Sequence, residues 1–140
     1  MDESDYSIEI LYRAIKRSQP STIIQRKGKL RVSSALFKDE NGVSVDKKMQ
    51  RTEETAIQKL KDYFSRRLKG IVKLTELDVN HANAVVIPKP SIENQYHAEI
   101  HKNHNEIMLD DIQALQLADS CQFVFFDEEK DWSITNSHNP

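Results

Sequence analysis

His97, Glu99 and His101 fall at every second position of the segment Asn94 to His104, and His104 follows three residues later. Side chains alternate across a β-strand, so a strand here sends those three residues to one face and Tyr96, Ala98 and Ile100 to the other. One face can pack a core; the other is a row of titratable groups. His97, His101 and His104, with Glu99 between them, are ligand types suited to zinc or another divalent ion. His97 alone could transfer protons, since an imidazole titrates near neutrality. No His-Glu-x-x-His spacing is present, so the cluster fits an exposed strand end and its turn equally well.

A second charged residue stands out by its surroundings. In the breaker-free run Ile8 to Ile15, the positions Ile8, Ile10, Tyr12 and Ala14 form an apolar strand face, while Arg13 lies between Leu11 and Ile15 on the other. A guanidinium in apolar surroundings needs partners, so Arg13 is either a member of a structural pair or a ligand-binding group. Lys27-Gly28-Lys29 reads as a turn into a strand from Leu30 to Phe37, which carries Ser33 and Ser34. A buried Ser34 would need a nearby backbone group for its hydroxyl. Nucleophilic catalysis has little else to draw on. No Gly-x-Ser-x-Gly turn occurs, Cys121 sits beside Phe123 and Phe125 in an apolar run, and with only three glycines a phosphate-cradling loop is excluded.

The elements that must position these residues follow from periodicity. Asp39 to Gly42 marks a turn from which Val43-Ser44-Val45 returns as a hairpin strand, leaving Asp46 exposed. Ile57, Leu60, Phe64 and Leu68 recur at helical steps between Thr52 and Lys69. Acidic residues near the start, basic ones near the end and Gly70 as terminator fit a helix dipole and its cap. Further strands are expected over Ile71 to Glu76, Ala84 to Ile87 and Cys121 to Phe126. A second helix is expected from about Met108 to Asp119, with Leu109, Ile112 and Leu115 on one stripe. The expected fold is α+β: about six short strands in a mixed or antiparallel sheet with two helices, in the order β-β-β-α-β-β-β-α-β. Residues 1–128 form one domain, and 129–140 a loosely held acidic tail anchored by Trp132.

Composition bounds the function. The chain has 140 residues, 38% of them apolar and 30% charged, enough for one globular core without metal or disulfide support. A lone cysteine, an acidic start and no apolar run of membrane-spanning length lead us to expect a cytoplasmic protein. The net charge of −2 conceals a split: residues 10–38 carry eight basic groups and no acid, whereas residues 106–140 carry eight acids and one base. The basic part is either an anion-binding face or is neutralised inside the fold by the acidic part. The overall balance argues against a nucleic-acid domain.

The blocks Leu11-Tyr12-Arg13, Val32 to Asp39, Val43 to Asp46 and Asn94 to Ile100 resemble a group of small uncharacterised bacterial proteins over most of the chain from Leu11 to Phe126. That resemblance implies one compact domain and no particular activity. More distantly, an arginine on an early strand, a serine on a following one and a late glutamate resemble ADP-ribosyltransferase-like folds of the Arg-Ser-Glu type. This likeness implies NAD as cofactor or substrate. Arg13 would bind the pyrophosphate, Ser33 or Ser34 would support the site, and Glu99 would stabilise the charge that develops as the nicotinamide bond breaks. The Ser-Thr-Ser pattern of those folds is missing here.

Two readings follow. One is a binding or interaction module, such as a regulator or a defence or immunity component, in which Arg13 and Arg31 hold an anionic small molecule, nucleotide or protein partner. The other is an NAD-processing or phosphoester-acting enzyme built from Arg13, Ser33 or Ser34, His97 and Glu99. The enzyme requires those residues to converge in one pocket.

Overall fold

The computed structural model describes residues 8–128 and the backbone of residues 135–136. The fold is α+β, as the periodicities imply. Strands β1 (Ile10–Lys16), β4 (Val43–Lys47), β5 (Leu68–Thr75), β6 (Val85–Pro88), β7 (His97–His101) and β8 (Gln122–Phe126) form one sheet in the order β6-β7-β4-β1-β5-β8. Every neighbouring pair in it is antiparallel. A small second sheet joins β2 (Ile23–Arg26), β3 (Lys29–Val32) and the two-residue β9 (Thr135–Asn136). The expected tail and its anchor Trp132 otherwise lie outside the described residues.

Strand β1 is central and buried on both faces, so its two sets of side chains enter two different cores. Leu11 and Ile15 join Val43, Val45, Val72, Ala98 and Ile100 in the larger core. That core is closed by Leu36 and Phe37, by α2 (Glu76–His81) through Val79, and by α3 (Asp111–Ser120) through Ala114, Leu117 and Ala118. Tyr12 points the other way and packs with Ile71 and Leu68 beneath Ala56 and Leu60 of α1 (Glu53–Phe64).

Helix α1 starts where the sequence indicates. The Thr52 hydroxyl accepts the Thr55 N–H, and Glu53 and Glu54 occupy the positive first turn. Glu53 also ties the helix to the sheet, accepting hydrogen bonds from Tyr12 Oη at 3.0 Å and Lys73 Nζ at 3.1 Å. Partial burial would raise the Glu53 carboxyl, but the bonds from Lys73 and Tyr12 outweigh it and hold the group below the usual carboxylate range. Burial, reinforced by the same contact, pushes the Tyr12 phenol far above its ordinary value. The helix ends at Phe64 because Ser65 takes φ 51°, a left-handed turn that breaks the ladder. Gly70, the expected terminator, lies instead inside β5 opposite Phe126. An added Cβ there would meet the Phe125 carbonyl oxygen at 3.0 Å.

Several expectations are corrected by long-range contacts. The strand expected from Leu30 stops at Val32, and Ser34–Phe37 forms a 3-10 turn that drives Leu36 and Phe37 into the larger core. Strand β4 is not the return of a hairpin: it pairs with β1 and β7. Asp46 is therefore buried rather than exposed, beneath Asn94 and Lys59. Ile112 and Leu115 of α3 are solvent-exposed, while Ala114, Leu117 and Ala118 face the core. The Asp110–Gln113 capping box sets that rotation, and the Gln113 amide donates to the carbonyls of Asn83 and Lys102. Strand β2 and helix α2 were not anticipated. Helix α2 had a legible signal, since Thr75 and Asp78 form a capping box at the spacing Thr-x-x-Asp.

Cys121 follows α3 and donates its S–H to the Leu117 carbonyl at 3.1 Å. Burial pushes this thiol far above its ordinary value. We expect iodoacetamide at pH 8 to alkylate native protein more than about tenfold more slowly than the urea-unfolded chain, as followed by mass spectrometry. Among the described residues no helix is long and apolar enough to cross a membrane.

Candidate functional site

Strand register decides which polar residues meet. Tyr12 pairs with Asp46, and Asp46 with His97, so these three stand side by side on the face that α1 covers. Ser44 pairs with Glu99 on that same face. Arg13, one position after Tyr12, belongs to the opposite face with Leu11 and Ile15. The expected row of His97, Glu99 and His101 is present, with Ala98 and Ile100 buried behind it.

His101 Nε2 and Glu99 Oε1 are 2.8 Å apart, a pair beside Gly42. Gly42 has φ +102°, and an added Cβ would lie 2.6 Å from Glu99 Oε1 and 3.1 Å from His101 Nε2. Glycine is thus required twice, by backbone conformation and by the pair stacked on it. Gly42→Ala should lower stability by about 1–3 kcal/mol, read as a fall in the urea midpoint with unchanged slope.

The histidines do not form a metal centre. His97 and His101 are four residues apart on one strand, hence about 13 Å, too far to share an ion. His97 Nδ1 instead meets the Lys89 carbonyl oxygen at 3.1 Å, and His104 is exposed in the following loop. Among the described residues no group of three or more histidines, cysteines or carboxylates is placed to hold a metal.

Ser33, Ser34 and Arg31 also stand apart from the row. Ser33 Oγ donates to the Ser21 carbonyl at 2.7 Å and Ser34 opens the 3-10 turn. Arg31 is exposed on β3, in the second sheet. The convergence of arginine, serine and glutamate needed by a transferase-like site is therefore not found: the cavity that Arg13 borders is lined by none of Ser33, Ser34 and Glu99.

A different grouping is found. Strands β1 and β4 are paired only at Leu11–Lys47 and Tyr12–Asp46, and beyond that point no β1 residue pairs with β4. The Arg13 guanidinium occupies the opening. Its Nη1 donates to the Ser44 carbonyl at 3.0 Å, while Nη2 and Nε donate to the Leu36 carbonyl at 3.0 and 3.3 Å. These bonds use three of the five guanidinium N–H groups. The residue is only 9% exposed, and among the described residues no carboxylate comes within ion-pairing distance of it. Burial lowers its pKa and the more distant Asp39 partly offsets this. A guanidinium nonetheless stays charged at neutral pH.

Arg13 and Asp39 line a cavity of about 680 Å³ between α1 and the sheet. Lys16, Lys59 and Arg67 add cations to its wall, and Asp46 and Glu93 add carboxylates. Tyr63 and Phe64, from the last turn of α1, supply aromatic surface, and His97 and Asn94 border it from β7 and the loop before. Of the residues singled out from sequence, Arg13 and His97 share this cavity. Its aromatic and basic wall from α1 was missed. The signal available was Tyr63 and Lys59 lying off the apolar stripe of an otherwise regular helix.

The cavity lies within the volume range of small-molecule sites and is bounded by both apolar and charged groups. Comparison with known proteins adds no assignment: no family model, no curated protein and no solved structure matches this chain.

Proposed function

We propose that this protein is a binding module that holds a small anionic ligand in the cavity between α1 and the sheet. The observation that carries this reading is Arg13. A buried guanidinium held by two backbone carbonyls, with N–H groups to spare and Asp39 only at longer range, carries a positive charge that no ion pair neutralises. Burying such a charge is costly unless a partner arrives, and an oxyanion offers the matching bidentate geometry. Across the lining residues, Arg13, Lys16, Lys59 and Arg67 face Asp39, Asp46 and Glu93, so the wall retains a positive excess. Asp46 Oδ1 accepts from Asn94 at 2.9 Å, and Oδ2, which is buried and accepts no hydrogen bond, lies 3.6 Å from Lys59 Nζ.

Thermal unfolding with ribose 5-phosphate, set against ribose at matched ionic strength, tests the proposal. Ligand that binds only the folded state adds about 2.7 kcal/mol of stability at a hundred times its Kd. The expected result is a saturable rise in Tm with ribose 5-phosphate, none with ribose, and a much weaker response in Arg13→Lys. That variant keeps the charge but loses the fork. Equal responses to the two sugars, or an undiminished response in Arg13→Lys, would contradict the proposal.

A further inference from the structure

Resting on that reading, we infer that the ligand also carries a planar aromatic ring: its class is a sugar phosphate bearing a heteroaromatic base, of nucleoside-monophosphate type, with the phosphate toward Arg13 and the ring against Tyr63. The wall formed by the last turn of α1 carries this step. Tyr63 is 70% exposed although it is a large aromatic side chain bordering the cavity. It is also held in place. Its ring meets Phe64 edge-on, with centroids 4.9 Å apart and planes at 83°. The Arg67 guanidinium stands 5.7 Å from the Tyr63 centroid and 5.3 Å from that of Phe64, and its Nη2 donates to the Tyr63 carbonyl at 3.2 Å.

A supported aromatic ring next to a delocalised cation at a cavity edge is a stacking surface for a second flat ring. A simple inorganic anion would leave this surface and most of the 680 Å³ unused. A phosphate joined through a sugar to a heteroaromatic base fills both parts, and Lys16 remains as a further cation for the doubly charged ester.

The test compares AMP with ribose 5-phosphate by isothermal titration calorimetry, using the full chain and a Tyr63→Ala variant. The substitution removes an exposed side chain, so the variant should fold normally. Stacking predicts that AMP binds wild type at least about fivefold more tightly than ribose 5-phosphate. In Tyr63→Ala that advantage should vanish while ribose 5-phosphate affinity stays the same. Equal affinities in wild type would overturn the ring inference and leave the anion site standing, as would an AMP preference that persists in Tyr63→Ala. No binding of either compound would instead overturn the anion site, and the ring inference with it.

Discussion

Phe37→Ala is expected to destabilise the protein by about 3–5 kcal/mol, a large fraction of the stability of a domain this size. Phe37 is fully buried at the end of the 3-10 turn Ser34–Phe37 and packs into the larger core. Its position allows little relaxation. The turn is fixed at its start by Ser33, whose N–H donates to the Thr22 carbonyl at 2.9 Å and whose hydroxyl donates to Ser21. Following it, the Asp39–Gly42 turn leads directly into β4, which is paired on both sides. The cavity left by the ring would therefore stay largely open, and cost rises with residual cavity volume. Urea unfolding followed by circular dichroism would read the change as a fall in midpoint of about 2 M, given the slopes usual for small domains. A loss below about 1 kcal/mol would mean that Phe37 is not packed as described.

Arg13→Ala is expected to cost about 2–4 kcal/mol in ligand-free protein, through a different mechanism. Removing the guanidinium leaves the carbonyls of Leu36 and Ser44 without their donors where β1 and β4 separate. Two effects oppose each other. Relief of a buried, unpaired charge favours the variant, while two orphaned carbonyls and the loss of charge-assisted bonds disfavour it. The hydrogen bonds win because a guanidinium bridging two segments also fixes their separation. The stability difference between wild type and variant should widen when ribose 5-phosphate is added, since only the wild type gains binding energy. A difference that stays constant with ligand would confine Arg13 to a structural role.

Much of the local structure was legible because local rules decided it. The alternation of His97 to His101 is strict, and the strand forms with Ala98 and Ile100 inward. Thr52, with two glutamates after it, announced the start of α1. Arg13 between Leu11 and Ile15 was recognisable as a guanidinium in apolar surroundings, and it is buried.

What stayed hidden was set by distant partners. Whether Arg13 and Glu99 share a face depends on the registers of β1 on β4 and of β4 on β7. A one-residue slip in either would reverse the answer, and nothing within one strand encodes it. Asp46 reads as an exposed residue after a short strand, yet that strand lies between two others. Helix α3 carries apolar residues on more than one side. Gln113, a polar residue, turns inward to bond Asn83 and Lys102, leaving Ile112 and Leu115 in solvent. The aromatic wall of the cavity eluded sequence reading for a related cause. Tyr63 lies 50 positions from Arg13, and only the tertiary fold brings it to the cavity that Arg13 borders.

The anion-binding role proposed for Arg13 can be observed directly by proton–nitrogen correlation NMR of the arginine Nε–H groups. Arg13 Nε would be assigned from its absence in Arg13→Lys, and ribose 5-phosphate titrated into wild-type protein. The Arg13 cross-peak is expected to move saturably, with the same midpoint as the thermal stabilisation. A cross-peak that stays in place while the protein becomes saturated would contradict it.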